Sequence, residues 1–169
     1  MDIYQAIRTR KSVRSYREQP VEQEKLDRIL EAARLAPSAS NRQEWRFVVV
    51  REPEKRELLA AAARQPFVGE APVLMVCCAE TDHHRMRCGH ECFLVDVSIA
   101  IDHATLAAVA EGLGTCWIGA FDAGEVRRIL SIPSGIEVVG LLPLGYPADP
   151  APVQKSRRPV SDIVRYDSW

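Results

Sequence analysis

The strongest constraint on the fold is the segment spanning residues 90–111, which reads as one long helix closed by Gly112 and Gly114. Val97, Ile101, Ala104 and Ala108 recur on one face at helical spacing and are mostly small. Neighbouring elements can therefore approach that face closely, which marks this as the most buried helix of the chain. The apolar run 72–79 reads as a central strand, and 45–50, β-branched and aromatic, as a second buried strand.

Other elements are expected around these. Asp2 caps a first helix with Ile3, Ala6 and Ile7 on one face. Pro20-Val21-Glu22 opens a second, with Leu26, Ile29, Leu30 and Ala33 inward and a stop at Ala36-Pro37. Pro53 starts a third that runs through about Arg64, with Leu58 and Leu59 inward. Residues 115–118 form a short strand, Asp122 caps a helix through Leu130, and 136–144 is a further strand. The proline-rich tail 145–159 is extended, and its apolar end 163–169 docks elsewhere, on a second subunit. Helices and strands interleave unevenly, so the fold class is α+β.

A length of 169 residues suits one domain, 1–169, with a substantial core. The net charge of −1 creates no overall field for a polyanion, so nucleic acid is not an expected partner. The N-terminus lacks an apolar secretory region, and no apolar run is read as reaching the roughly 18 residues of a membrane helix. Five cysteines, unevenly spread, do not make a disulfide framework, so a reducing cytoplasm is expected.

Against that neutral background, Arg10, Lys11, Ser12 and Arg14 form a local basic stretch, and Lys155, Arg157 and Arg158 form another near the far end. Arginine offers a planar donor fork for phosphate, lysine a mobile charge and serine a short neutral donor. The two clusters are expected to close around one phosphate; the competing reading is a solvated loop whose cations pair with Glu18 or Glu22. No Gly-x-Gly-x-x-Gly or Gly-x-x-x-x-Gly-Lys-Ser/Thr fingerprint is present. Gly112-Leu113-Gly114 closes a helix instead of opening one.

The ordered set of motifs resembles the nitroreductase family of FMN-dependent oxidoreductases. It comprises Arg10-Lys11-Ser12-Val13-Arg14-Ser15-Tyr16, Pro20-Val21, and the run from Leu30 through Pro37-Ser38-Ala39-Ser40-Asn41-Arg42-Gln43-Glu44-Trp45 to Val49. Ala71-Pro72, then 112–121, then Leu144-Gly145-Tyr146-Pro147 with Lys155-Ser156-Arg157 complete it. The resemblance implies a central, mostly antiparallel sheet flanked by helices, with the C-terminal tail reaching across a homodimer. It implies that Arg10, Lys11 and Ser12 hold the FMN phosphate and ribityl, with Lys155 and Arg157 returning to the phosphate. Arg14 would lie against the pyrimidine edge of the flavin, where a cation raises the reduction potential. Pro37, Ser38, Ala39, Asn41 and Gln43 would come from the partner subunit, and Gln65 is a further candidate contact. Backbone N–H groups of Ile118, Gly119 and Ala120 would face N5. Where relatives carry proline between Gln and Trp, this chain has Glu44.

The implied activity is ping-pong transfer of electrons from NADH or NADPH to a small acceptor: nitroaromatic, quinone or flavin. No side chain is assigned as an acid–base catalyst, and no metal is expected. Dehydrogenation or reductive removal of a substituent is a variant within the family. Outside it stand a non-catalytic flavin-binding or trafficking protein, and a thiol or metal redox sensor built on Cys88, Cys92 and the nearby histidines. Cys77 and Cys78 read as small core residues, and Asp96 and His103 as satisfied core or interface groups.

Overall fold

The computed structural model describes residues 1–169. Its four strands are β1 (Trp45–Val50), β2 (Val73–Glu80), β3 (Gly114–Thr115) and β4 (Ile136–Gly145). They form one sheet in the order β1-β2-β4-β3, with every pairing antiparallel. The helices are α1 (Ile3–Thr9), α2 (Gln23–Arg34), α3 (Pro53–Ala63), α4 (Phe67–Glu70), α5 (Cys92–Ala110), α6 (Ala123–Leu130) and α7 (Val160–Ile163).

β2 is central, and its side chains alternate between two cores because successive residues of a strand point to opposite faces. Val73, Met75, Cys77 and Ala79 face α2 and α5. Leu74, Val76 and Cys78 face α3 and α6. Both faces being covered, the strand needs an unbroken apolar run. α5 buries Val97, Ile101, Ala104 and Ala108, as its spacing predicts. Gly112, at φ +77°, ends it in the left-handed region that glycine adopts freely.

α2 lies against α5, pinned at one end by Lys25 Nζ on the Glu111 carbonyl (3.0 Å) and by Arg28 paired with the Glu111 carboxylate (2.7 Å). At the other end the loop after α2 meets Asp96. The α1 and α6 caps form as expected: Asp2 accepts from Gln5 N–H (2.8 Å) and Asp122 from Glu125 N–H (3.0 Å).

Several local expectations are corrected. β1 is an edge strand paired only with β2, so its middle is half-buried where full burial was expected. Leu58 points outward, since α3 docks through Leu59, Ala60 and Ala63. α2 ends at Arg34, two residues before the stop expected from Pro37. α4 and α7 were not foreseen; each is four residues, too short to show a periodic pattern. α5 does meet the length and composition of a membrane span, with 19 residues and a mean hydropathy of 1.7. Its apolarity instead reflects packing on the sheet side against both α2 and β2. α1 buries only Ala6; Ile3 and Ile7 stay exposed.

Candidate cofactor-binding site

The basic stretch is a rigid extended rib laid beside β3. Val13 N–H donates to the Thr115 carbonyl (2.9 Å), Arg17 N–H to Tyr146 (2.9 Å), and Ala148 N–H to Ser15 (3.0 Å). Val13 and Tyr16 point inward, so Ser12, Arg14 and Ser15 face out. The Tyr16 hydroxyl donates to the Val13 carbonyl (2.8 Å), and burial pushes its phenol far above the usual range, keeping it a neutral donor. A β-carbon on Gly114 would sit 2.4 Å from Val13 Cγ2, so only glycine lets the rib lie this close.

The tail returns to the same place. Lys11 Nζ donates to the Asp149 carbonyl (2.9 Å) and to that of Ala151. Lys155 Nζ donates to the Ile7 carbonyl at the end of α1. The Lys155 ammonium is pushed below its ordinary range, by partial burial first and then by the Arg10 and Arg157 cations. The two basic clusters therefore meet. None of Arg10, Lys11, Arg14, Lys155 or Arg157 is in an ion pair. Glu22, the competing partner, accepts instead from the Tyr146 hydroxyl (2.7 Å). Converging cations with no counter-ion repel one another and are satisfied by a dianion such as a phosphate ester. The FMN phosphate fits this donor set. Lys11 departs from its expected role in part, because two of its three donors strap the tail.

On the other side of β3, Ile118 N–H is taken by the Leu141 carbonyl (2.9 Å). Gly119 and Ala120 N–H groups meet no acceptor, and nothing lies within 4 Å of a β-carbon placed on Gly119. The open donors of this turn are thus those two. Gln65 lies at the α3–α4 junction, in a groove of 640 Å³ with Glu57, Arg64 and Glu70, and Phe67 two residues on packs against Val13 and Tyr16 of the rib. No hydrogen bond ties its side chain to the basic rib.

The loop holding Pro37, Ser38, Ala39, Asn41 and Gln43 lies elsewhere. Ala39 N–H is shared between the two carboxylate oxygens of Asp96, each at 3.1 Å, and Gln43 N–H donates to Ser38 Oγ (3.1 Å). Ser40, Asn41 and Gln43 have φ of 50°, 57° and 52°. A non-glycine residue there costs about 1–3 kcal/mol, so the loop is strained. Asp96 lies near the start of α5 and the rib near its end. The 14 residues from Asp96 to Ala110, at about 1.5 Å each, span roughly 21 Å. Within one chain the nominated residues thus form two groups, not one.

Beyond the generic reading of Asp96 as a satisfied group, sequence reasoning missed what surrounds this loop. Arg42 bridges Asp82 (2.5 Å) and the buried Glu44 (3.2 Å). The only signal available was the departure at Glu44. The Cys and His segment does not converge: no three His, Cys, Asp or Glu side chains are placed to hold a metal. Cys92 is buried and Cys88 exposed. His103 rests its Nδ1 near the Ala32 carbonyl (3.3 Å), an interface role as expected.

An outward apolar surface completes the picture. Met1, Ile3, Tyr4 and Ile7 on or before α1, with Leu94 and Val95 on α5, are exposed, as are Val160, Ile163, Tyr166 and Trp169 of the tail. Patches of this kind mark association surfaces.

Comparison with known proteins places the chain. The model of the nitroreductase family matches residues 7–66 and 53–146. A Thermus thermophilus protein named NADH dehydrogenase is 36% identical, with 88% of each chain covered. A Bacillus subtilis protein named FMN reductase (NAD(P)H) is 34% identical, covering 99% of this chain and 74% of its own. The solved structure of a nitroreductase family protein from Clostridium difficile 630 superposes with a TM-score of 0.90 at 32% identity over the whole of both chains. The chain belongs to the nitroreductase family.

Proposed function

We propose that the protein is an FMN-dependent oxidoreductase that takes electrons from NADH or NADPH and passes them to a small acceptor. The observation that carries this is the return of the tail to the rib, with Lys11 on the Asp149 and Ala151 carbonyls and Lys155 on the Ile7 carbonyl, while Arg10, Lys155 and Arg157 have no acidic partner. When bound, FMN supplies the two-electron redox chemistry; the chain supplies binding, orientation and electrostatics. Arg10, Lys155 and Arg157 hold the phosphate end, with Ser12 as a neutral donor beside them. Lys11 keeps the tail, and so Lys155 and Arg157, in place. Arg14 is the free cation available to stabilise negative charge on the reduced ring. The Gly119 and Ala120 N–H groups are open donors for the ring's polar edge.

The functional unit is a homodimer. Its support is the separation of the loop 37–43 from the rib, and the exposed apolar faces of α1 and α5. In a dimer the loop of one subunit completes the site of the other. The donor leaves before the acceptor enters, so kinetics are ping-pong; nitroaromatics, quinones and free flavins are the acceptor classes to assay.

The test is the visible spectrum of protein reconstituted with FMN, followed by anaerobic NADH or NADPH. Bound flavin that bleaches with either nucleotide and recovers with an acceptor is the expected result. Failure to retain FMN overturns the reading. Retention without bleaching by either nucleotide points instead to a flavin carrier.

A further inference from the structure

The loop after α2 is both strained and heavily moored, and this combination has a physical meaning. Three of its residues, Ser40, Asn41 and Gln43, occupy the left-handed region, which disfavours side chains such as those of Ser and Gln. Unmoored, such a backbone relaxes to ordinary conformations. What prevents this is a set of contacts made with side chains outside the loop's own backbone.

Asp96 is the first. It is 3% exposed and projects from α5 beneath the loop, giving both carboxylate oxygens to the Ala39 N–H. Arg42 is the second. Its guanidinium reaches out to Asp82, just beyond the end of β2, and in to Glu44, which is 6% exposed at the start of β1. The Glu80 N–H to Glu44 carbonyl bond (2.9 Å) ties the same two strand ends together. The network is not fully matched, since Arg42 Nε and Glu44 Oε2 are buried without partners. One buried and one surface carboxylate share one guanidinium there, and a buried charge left incompletely matched costs stability and calls for a compensating role.

We propose that Asp96 and Arg42 are positioning residues that hold loop 37–43 in its strained shape before cofactor arrives. The inference rests on the reading of this loop as part of the FMN site. A loop ordered in advance pays its conformational cost during folding, so less is lost when the ligand binds. Asp96 acts on the Ala39 backbone from below. Arg42 fixes the far end of the loop against the sheet, through one surface carboxylate and one buried one.

The experiment compares the unsubstituted protein with Asp96→Asn, Asp82→Asn and, as control, Glu52→Gln, whose partner Lys55 lies on α3, beyond the opposite end of β1 from the loop. Two quantities are read: amide exchange at Ala39 and Gln43 in the FMN-free protein, and the FMN dissociation constant. Asn keeps one acceptor for Ala39 and removes the charge. Losing the charge-assisted part of that bond is expected to speed Ala39 exchange and weaken FMN by about tenfold while the melting temperature holds. Asp82 is mostly exposed, so Asp82→Asn is expected to act in the same direction by only a few-fold, and it decides the matter if Asp96→Asn does not fold. Glu52→Gln should change neither. Wild-type exchange rates and FMN affinity in both network variants overturn the proposal. Faster loop exchange in a wild-type-like fold that never binds FMN overturns the functional reading, and with it the cofactor role assigned to the loop, while leaving the mooring itself demonstrated.

Discussion

Replacing Arg10 and Arg157 together by alanine tests the central geometric claim. In the folded chain both cations bear on Lys155, whose ammonium they help to push down, and neither has an acidic partner. Each is assigned one charge-assisted contact to the FMN phosphate, about 1.5–3 kcal/mol when buried. Arg10 is half-buried and Arg157 exposed, so the low end applies. The sum is about 3 kcal/mol, or an FMN dissociation constant raised by roughly two orders of magnitude. The FMN-free protein should behave oppositely. Removing two repelling cations costs it no ion pair, so its melting temperature should stay level or rise. The assay is quenching of FMN fluorescence at low salt and near 1 M salt, where a Debye length of about 3 Å should shrink the wild-type advantage. An unchanged dissociation constant in the double variant refutes the convergence of the two clusters on one phosphate. A loss of affinity with equal loss of melting temperature refutes the assignment of these residues to binding.

Three further outcomes follow from particular contacts. Gly114→Ala places a β-carbon against Val13 and must push the basic rib off β3, so overpacking of about 1–3 kcal/mol should lower the melting temperature; Gly119→Ala, facing open space, should leave it unchanged. In the native protein at mildly alkaline pH a thiol reagent should modify Cys88 alone, because Cys77, Cys78, Cys92 and Cys116 are buried. Burial also holds the Cys78 thiol up to about 11, leaving it protonated under those conditions; rapid reaction of a second thiol before unfolding contradicts this. Leu94→Glu, on the exposed face of α5, should convert a dimer to monomer in sedimentation and lower FMN affinity with it. A monomeric variant that keeps full FMN affinity would show that one chain suffices for the site.

Much of the fold was legible because its two dominant elements carry unambiguous patterns. β2 is apolar from Val73 to Ala79 because both its faces are covered, and α5 shows small residues at helical spacing because two elements press on it. The caps at Asp2 and Asp122 were legible for the same reason: a side-chain oxygen three residues before the N–H it serves is a local fact. The outward turn of Leu58 was not legible because adjacent residues on a helix lie about 100° apart, and only the docking angle of α3 decides which of its two leucines reaches the core. The role of Asp96 was partly legible: a carboxylate in an apolar helix needs a donor, but the donor's identity lies 57 residues away.

The basic stretch divides along the same line. The sequence by itself determined that its charge is local and suited to a small anion, since the rest of the chain is nearly neutral. Its order of motifs also determined the family. Only the tertiary structure decided that 145 residues further on Lys155 returns to Arg10, that Lys11 is engaged by tail carbonyls, and that Arg14 is left free. It also decided that the loop 37–43 rests on Asp96 near the start of α5 while the rib lies near its end. Periodicity and capping act over one or two turns and are written in consecutive residues. Which charges meet depends on how the chain closes across the sheet, and that distance is set by packing alone.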